Sequence, residues 1–331
     1  MSFLAKVTLP ENGTLPSSAF TYVDYGPRLT ATTWSLTAFA ALFLCLRLLS
    51  KLWRSRSVWW DDHALIASWL ALAASCSLLS VCVSLGYGKH SWDIAPENFD
   101  SVLLYSYAAG FASILAALWS KVSFAITLLR ITKGKPRGLL WFIIGSVSLV
   151  LGANATIHWV QCWPLDVLWH AHEEGSCISR KIIVDYNVFA AAYSGAADIA
   201  LALFPWFIIW ASTISKKEKL GVVISMSMGV FAGVASFLKI TTVTAINSND
   251  VIDSVELLIY GTAESASTIM AVSIPMLRAL LHTPRTKPPQ LNFAPESRNF
   301  SYPSRQNMAR RETKDDVIAD EKADDGSIIV H

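Results

Sequence analysis

Seven apolar runs, each long enough to cross a lipid bilayer, constrain this chain more than any other feature. A helix needs about 20 mainly apolar residues to traverse the hydrocarbon. Such runs occur at 29–50, 63–86, 100–131, 138–161, 183–212, 220–245 and 254–281. In hydrocarbon each backbone N–H and C=O must find its partner within the protein, so each run is expected to be an α-helix. The predicted fold is all-α: a seven-helix transmembrane bundle over 29–283, preceded by a tail at 1–28 and followed by one at 284–331. Charge placement agrees. Only 16% of residues are charged, against about 25% in soluble domains. Sixteen of the 52 charged residues crowd into the last 48 positions, from Pro284 onward. That tail is rich in Pro and Ser, lacks periodicity and is expected to be disordered. A soluble enzyme, a disulfide-stapled secreted module and a disordered protein are excluded. The net charge of +2 offers no basic surface for a nucleic acid.

Lys and Arg set the expected orientation, because they concentrate on the cytosolic side of membrane proteins. Lys51, Arg54 and Arg56 follow the first run, with Arg47 just inside it; Arg130, at the end of the third run, leads into Lys133, Lys135 and Arg137; Lys216, Lys217 and Lys219 follow the fifth. The opposite side has only Lys6, Arg28, Lys89, Arg180 and Lys181. The N-terminus is therefore expected outside or in the lumen, and the C-terminus in the cytosol. No secretory signal precedes the first run, which then serves as the insertion signal. Asn12-Gly13-Thr14 is a glycosylation sequon on the expected lumenal side, making Asn12 the candidate acceptor. Cys162 and Cys177 share the long lumenal loop, where an oxidising compartment permits a disulfide; the alternative is a pair of free thiols. Cys45, Cys76 and Cys82 fall within helices and read as small apolar residues.

Four ionisable residues lie deep within the runs: Lys121, Asp198, Lys239 and Glu264. Each costs roughly 2.5 kcal/mol or more at mid-helix, so each must face the bundle and find a partner. Counting 1.5 Å per residue from the cytosolic ends places Lys121 near the midplane. The same count places Asp198, Lys239 and Glu264 together in the lumenal half. Lys239 would neutralise one carboxylate and leave the other to be carried as the neutral acid. Asn154, His158 and Gln161 form a polar stripe at i, i+4, i+7 in the fourth run, with Trp159 beside it. The bland alternative is that buried ion pairs and hydrogen bonds merely set helix register. The histidines show no helical ligand pair, so neither a metal site nor a cofactor is expected.

Several short motifs occur in a telling order: Trp60-Asp61-Asp62, Gly86-Tyr87-Gly88-Lys89-His90, Lys121-Val122-Ser123-Phe124, Gln161-Cys162-Trp163-Pro164, Asp198 followed by Pro205, Glu264, and Pro275-Met276-Leu277-Arg278. Over about residues 25–285 the chain resembles the fungal rhodopsin-domain-like integral membrane family. That family takes in the membrane protein of the satratoxin cluster and the Pth-type receptor-like proteins. A retinal pigment is not expected, since the seventh run has no lysine ahead of its cytosolic end. The resemblance implies a membrane protein of fungal specialised metabolism, in the endoplasmic reticulum or plasma membrane. Its expected partners are an apolar small molecule, the bilayer and pathway enzymes.

The favoured activity is a cofactor-independent, acid-initiated cyclase or isomerase acting on a terpenoid or meroterpenoid chain. Such chemistry needs a proton donor, a dry cavity and aromatic faces for a cationic intermediate. Glu264 is the candidate donor, Asp198 the second acid and Lys239 the tuner of both. Tyr260, Trp119, Trp159, Asn154, His158 and Lys121 are candidate lining. A receptor-like sensor is the alternative, although the short turn Ser212–Lys219 offers a G protein little surface. A transporter or pathway scaffold is the third, although discontinuous helices and inverted repeats are not seen.

Overall fold

The polypeptide rises and falls through seven long helices in the computed structural model, which describes residues 24–53, 59–89, 94–132, 134, 136–170, 175–210, 216–245 and 254–281. They are α1 (Gly26–Trp53), α2 (Trp60–Ser84), α3 (Pro96–Ile131), α4 (Pro136–Val160), α5 (Arg180–Trp210), α6 (Lys216–Ala245) and α7 (Ser254–Leu281). All seven are long and apolar enough to span a membrane. Most begin three or four residues before the apolar runs. Hydropathy finds the stretch that lipid must tolerate, whereas the first helical turn carries orphan N–H groups and is content in a polar layer. Pro96 and Pro136 open α3 and α4, where a missing N–H costs least. The Asn12 sequon and the tail at 284–331 lie outside the described residues, as does the α5–α6 link at 211–215.

Short links make consecutive helices alternate in direction, so the bundle has two ends. One is the disulfide end. There a two-residue ladder pairs β1 (Cys162–Trp163) with β2 (Ser176–Cys177), and a disulfide joins Cys162 to Cys177. α2 stops at this end in a helix-terminating turn. Gly86 adopts φ +110°, and the amides of Gly86 and Tyr87 donate to Val83 O and Cys82 O at 3.1 and 2.9 Å. A left-handed residue is what this cap requires, and glycine supplies it without strain. Tyr87 is then buried, and its hydroxyl meets Ser254 Oγ at 2.6 Å at the start of α7. Burial pushes the Tyr87 phenol above its usual range. Tyr25 N donates to Gly88 O at 3.0 Å, so one loop ties together α1, α2 and α7.

α7 is the central rod. Every position from Gly261 to Ser273 is buried, and the helix packs against α1, α2, α3 and α6. The main core joins Leu65 and Leu72 of α2, Phe124 and Leu128 of α3, Leu201 and Phe204 of α5, and Ile269 and Val272 of α7. α4 stands further out, with Trp141, Phe142 and Leu149 exposed; α1 exposes Phe39, Leu42 and Leu49. Such broad apolar exposure would be an aggregation hazard in water and is the surface lipid covers. α5 and α6 approach closely. A Cβ at Gly229 would lie 2.6 Å from Ala202 Cβ, and one at Gly233 would lie 2.7 Å from Ile199 Cγ1. This seam of small residues determines where α5 holds Asp198.

Candidate functional site

Lys121, Asp198, Lys239 and Glu264 come from four different helices and meet. Lys121 Nζ lies 2.6 Å from Glu264 Oε1 and 3.0 Å from Asp198 Oδ2. Lys239 Nζ lies 3.1 Å from Glu264 Oε2. Ser194, one turn before Asp198, donates its hydroxyl to Glu264 Oε1 at 2.6 Å. Lys121, Asp198 and Glu264 are fully enclosed, while the Lys239 side chain retains 21% of its exposure. Two ammoniums face two carboxylates, so the group is formally neutral. That balance is what lets four charges leave water together.

The two carboxylates are held differently. Both Glu264 oxygens accept from charged donors, and one also accepts from Ser194. Among the described residues, the hydrogen-bonding contact of Asp198 Oδ1 is the Thr268 hydroxyl, at 3.5 Å. That hydroxyl has one proton and already donates to Glu264 O at 2.9 Å, so the longer contact is weak. Asp198 Oδ2 touches Lys121 as an ion pair but lacks hydrogen-bond alignment with any partner among the described residues. The buried Ser265 and Ser267 hydroxyls of α7 are in the same position.

One pairing differs from the sequence expectation. Lys121 had been placed at another depth and treated as lining, with Lys239 as the neutralising cation. In the structure Lys121 bridges both carboxylates, and Lys239 serves Glu264 alone. Depth counting locates a backbone, whereas a lysine stem carries its ammonium about a helical turn (~5.4 Å) away. The α4 stripe lies along the α3 seam. His158 Nε2 meets Tyr107 O at 3.1 Å, its ring stands 5.3 Å from that of Tyr107, and it fills the space over Gly110. Trp159 packs edge-on against Phe111 at 5.8 Å, and Asn154 is buried. Tyr260 and Trp119 are half-buried on α7 and α3. A Cβ at Gly261, beside Tyr260, would lie 3.1 Å from Ser113 Oγ and 3.8 Å from Lys239 Nζ. A bare backbone is what lets α3, α6 and α7 close around the exposed side of the cluster.

A second buried ionic group escaped the sequence reading. It lies at the opposite, arginine end, where α1 stops and α2 starts. Arg47 Nη2 is 2.6 Å from Asp61 Oδ2, and Nε is 3.1 Å from Asp62 Oδ1. Arg47 Nη1 donates to Val272 O at 2.7 Å, and Nη2 reaches Thr127 Oγ1 at 3.4 Å. Lys51 Nζ meets Asp62 Oδ2 at 2.5 Å and Asp61 Oδ2 at 3.4 Å. The sequence uses Arg47 and Lys51 only to set the expected orientation; the structure buries both. The available signal was an arginine inside an apolar run, a lysine one turn later, and two adjacent aspartates opening the next helix.

Fold and site together define an integral membrane protein whose seven-helix bundle carries a neutral ionic cluster at mid-depth. The chain belongs to the Fungal rhodopsin domain family, whose profile matches residues 46–283. It is similar to Fugralins biosynthesis cluster protein 2 of Gibberella zeae, at 24% identity over 218 residues, covering 59% of this chain and 50% of that protein. The chain thus spans about half the length of the curated relative it matches. No solved structure matches it.

Proposed function

We propose that this protein is a membrane component of a fungal specialised-metabolite pathway, and that its four-charge cluster performs acid–base chemistry on an apolar terpenoid or meroterpenoid intermediate. The observation that carries the reading is the convergence of two lysines and two carboxylates from four helices long and apolar enough to span a membrane. Ionisable groups are rare there and mark functional sites by default. The relative's place in a biosynthesis cluster supports the pathway assignment.

The uneven holding of the carboxylates shifts the roles. Glu264 has both oxygens occupied and acts as the anchor. Asp198 has the oxygen outside hydrogen-bond alignment, so the working acid is the Asp198 carboxyl in its neutral form, with its proton on Oδ2. That proton passes to an epoxide oxygen of the substrate as its C–O bond breaks. The carbocation cyclises onto an alkene π bond, and a C–H proton returns to the cluster, so the sum is an isomerisation. Lys239 stands at the exposed side, and Tyr260, one turn before Glu264 on α7, is the aromatic face proposed for the cation. In this reading the N-terminus lies outside with Asn12 glycosylated, and the membrane is endoplasmic reticulum or plasma membrane.

The test is turnover of the intermediate that accumulates in a deletion strain, assayed in microsomes. Asp198→Asn, which keeps the shape, should abolish product at unchanged protein level; full turnover by Asp198→Asn would remove the acid mechanism. A sensor is the second reading, favoured by the Arg47 network at the end expected to face the cytosol. Ligand-dependent binding of a G-protein subunit would support it.

A further inference from the structure

We propose that Arg47 is a latch on α7, and that displacement of α7 at the Glu264 cluster is transmitted to the arginine end by release of the Arg47–Val272 bond. Three observations converge on one helix. α7 is buried on all sides from Gly261 to Ser273, so it moves as a packed rod between discrete seatings rather than by bending freely. That rod carries Glu264 in one ionic group and the Val272 carbonyl, an Arg47 acceptor, in the other. The two positions are eight residues apart, about 12 Å along the helix. Pro275 stands just beyond Val272 inside α7. It has no N–H to give to the preceding turn, which makes this turn the weak point of the rod.

The chemistry of Arg47 suits a latch. Its planar guanidinium donates in fixed directions. Two go to the aspartates of α2, one to Thr127 of α3 and one to the α7 carbonyl. The aspartate bonds join residues 14 and 15 positions apart and form whenever α1 and α2 are paired. The Val272 bond joins residues 225 positions apart and so depends on where α7 sits against α1. Arg47 therefore keeps its charge partners when α7 shifts and loses a single neutral acceptor. That is an inexpensive bond to break and a well-aimed one to re-form, as a two-state element requires. This device stands whether the cluster above it performs catalysis or senses a ligand.

Backbone hydrogen exchange of the full chain in lipid nanodiscs tests it. Arg47→Lys keeps the charge but cannot span aspartates and carbonyl together. It should speed exchange in 270–278 at least about tenfold, the factor one charged hydrogen bond is worth, and leave 255–262 unchanged. Glu264→Gln, made at the other end of the rod, should speed exchange in the same 270–278 segment. Should Arg47→Lys fail to fold, Glu264→Gln carries the test by itself: exchange should rise more in 270–278 than in 255–262, although the substitution lies nearer the latter. Uniform acceleration along α7 would show a plain structural staple and overturn the latch, as would an unchanged 270–278 segment in either single variant.

Discussion

The two buried ionic groups hold equal numbers of charges and are built on opposite plans. The arginine-end group draws all four charges from α1 and α2, within 15 residues of one another. The mid-bundle group takes one charge from each of four helices, up to 143 residues apart. The first is assembled as soon as two neighbouring helices pair. The second is complete only when α3, α5, α6 and α7 are all seated. They also differ in donor chemistry. A guanidinium's fork directs the arginine end, whereas two ammoniums, which aim poorly, serve the other. The arginine end is thus suited to hold a geometry, and the lysine cluster to trade protons and partners.

The sharpest way to break this contrast is Lys121→Met. It strips the one cation that faces both carboxylates and leaves Lys239 against two buried anions. A loss of about 3–5 kcal/mol is expected, seen as a collapsed monodisperse peak or a large fall in Tm. Arg47→Lys should cost less, about 1.5–3 kcal/mol, because the aspartates keep Lys51 and only the fork is lost. A smaller Tm loss for Lys121→Met than for Arg47→Lys would reverse the ranking of the two groups. Gly229→Ala probes the seam that positions Asp198: its methyl would lie 2.6 Å from Ala202 Cβ, and overpacking of about 1–3 kcal/mol is expected in thermal unfolding. Lys239→Gln should be mildest, about 1 kcal/mol. Glu264 then retains Lys121 and Ser194, and the site is already partly open. Measured as a cycle, Lys239→Gln and Lys121→Met should be non-additive, since both act on Glu264.

Much of the architecture was legible beforehand because hydrocarbon imposes a one-dimensional rule. Each apolar run became a helix, and Cys162 and Cys177, left together in the link between two runs, joined. The mid-bundle group was legible for the same reason: a charge within an apolar run stands out, and expense implies a partner. What failed was the partner list. Lys121 and Lys239 are equivalent by hydropathy, and only the packed arrangement of their helices puts the Lys121 ammonium between the carboxylates. Arg47 and Lys51 failed in the opposite direction. Near a helix end a basic residue reads as a topology signal, so the aspartate pair that opens α2 was not matched to Arg47 and Lys51, and the contact with the distant Val272 carbonyl leaves no local mark.

By itself the amino-acid sequence determined the number of helices, their approximate limits and, for Lys121, Asp198, Lys239 and Glu264, that their charge had to be paired, since these follow from the cost of exposing backbone and charge to lipid. Only the tertiary structure decided which charges pair, that α7 is the rod linking both groups, and that Arg47 grips its backbone. Those outcomes depend on helix rotation and close packing at positions such as Gly229, Gly233 and Gly261, which no hydropathy pattern encodes.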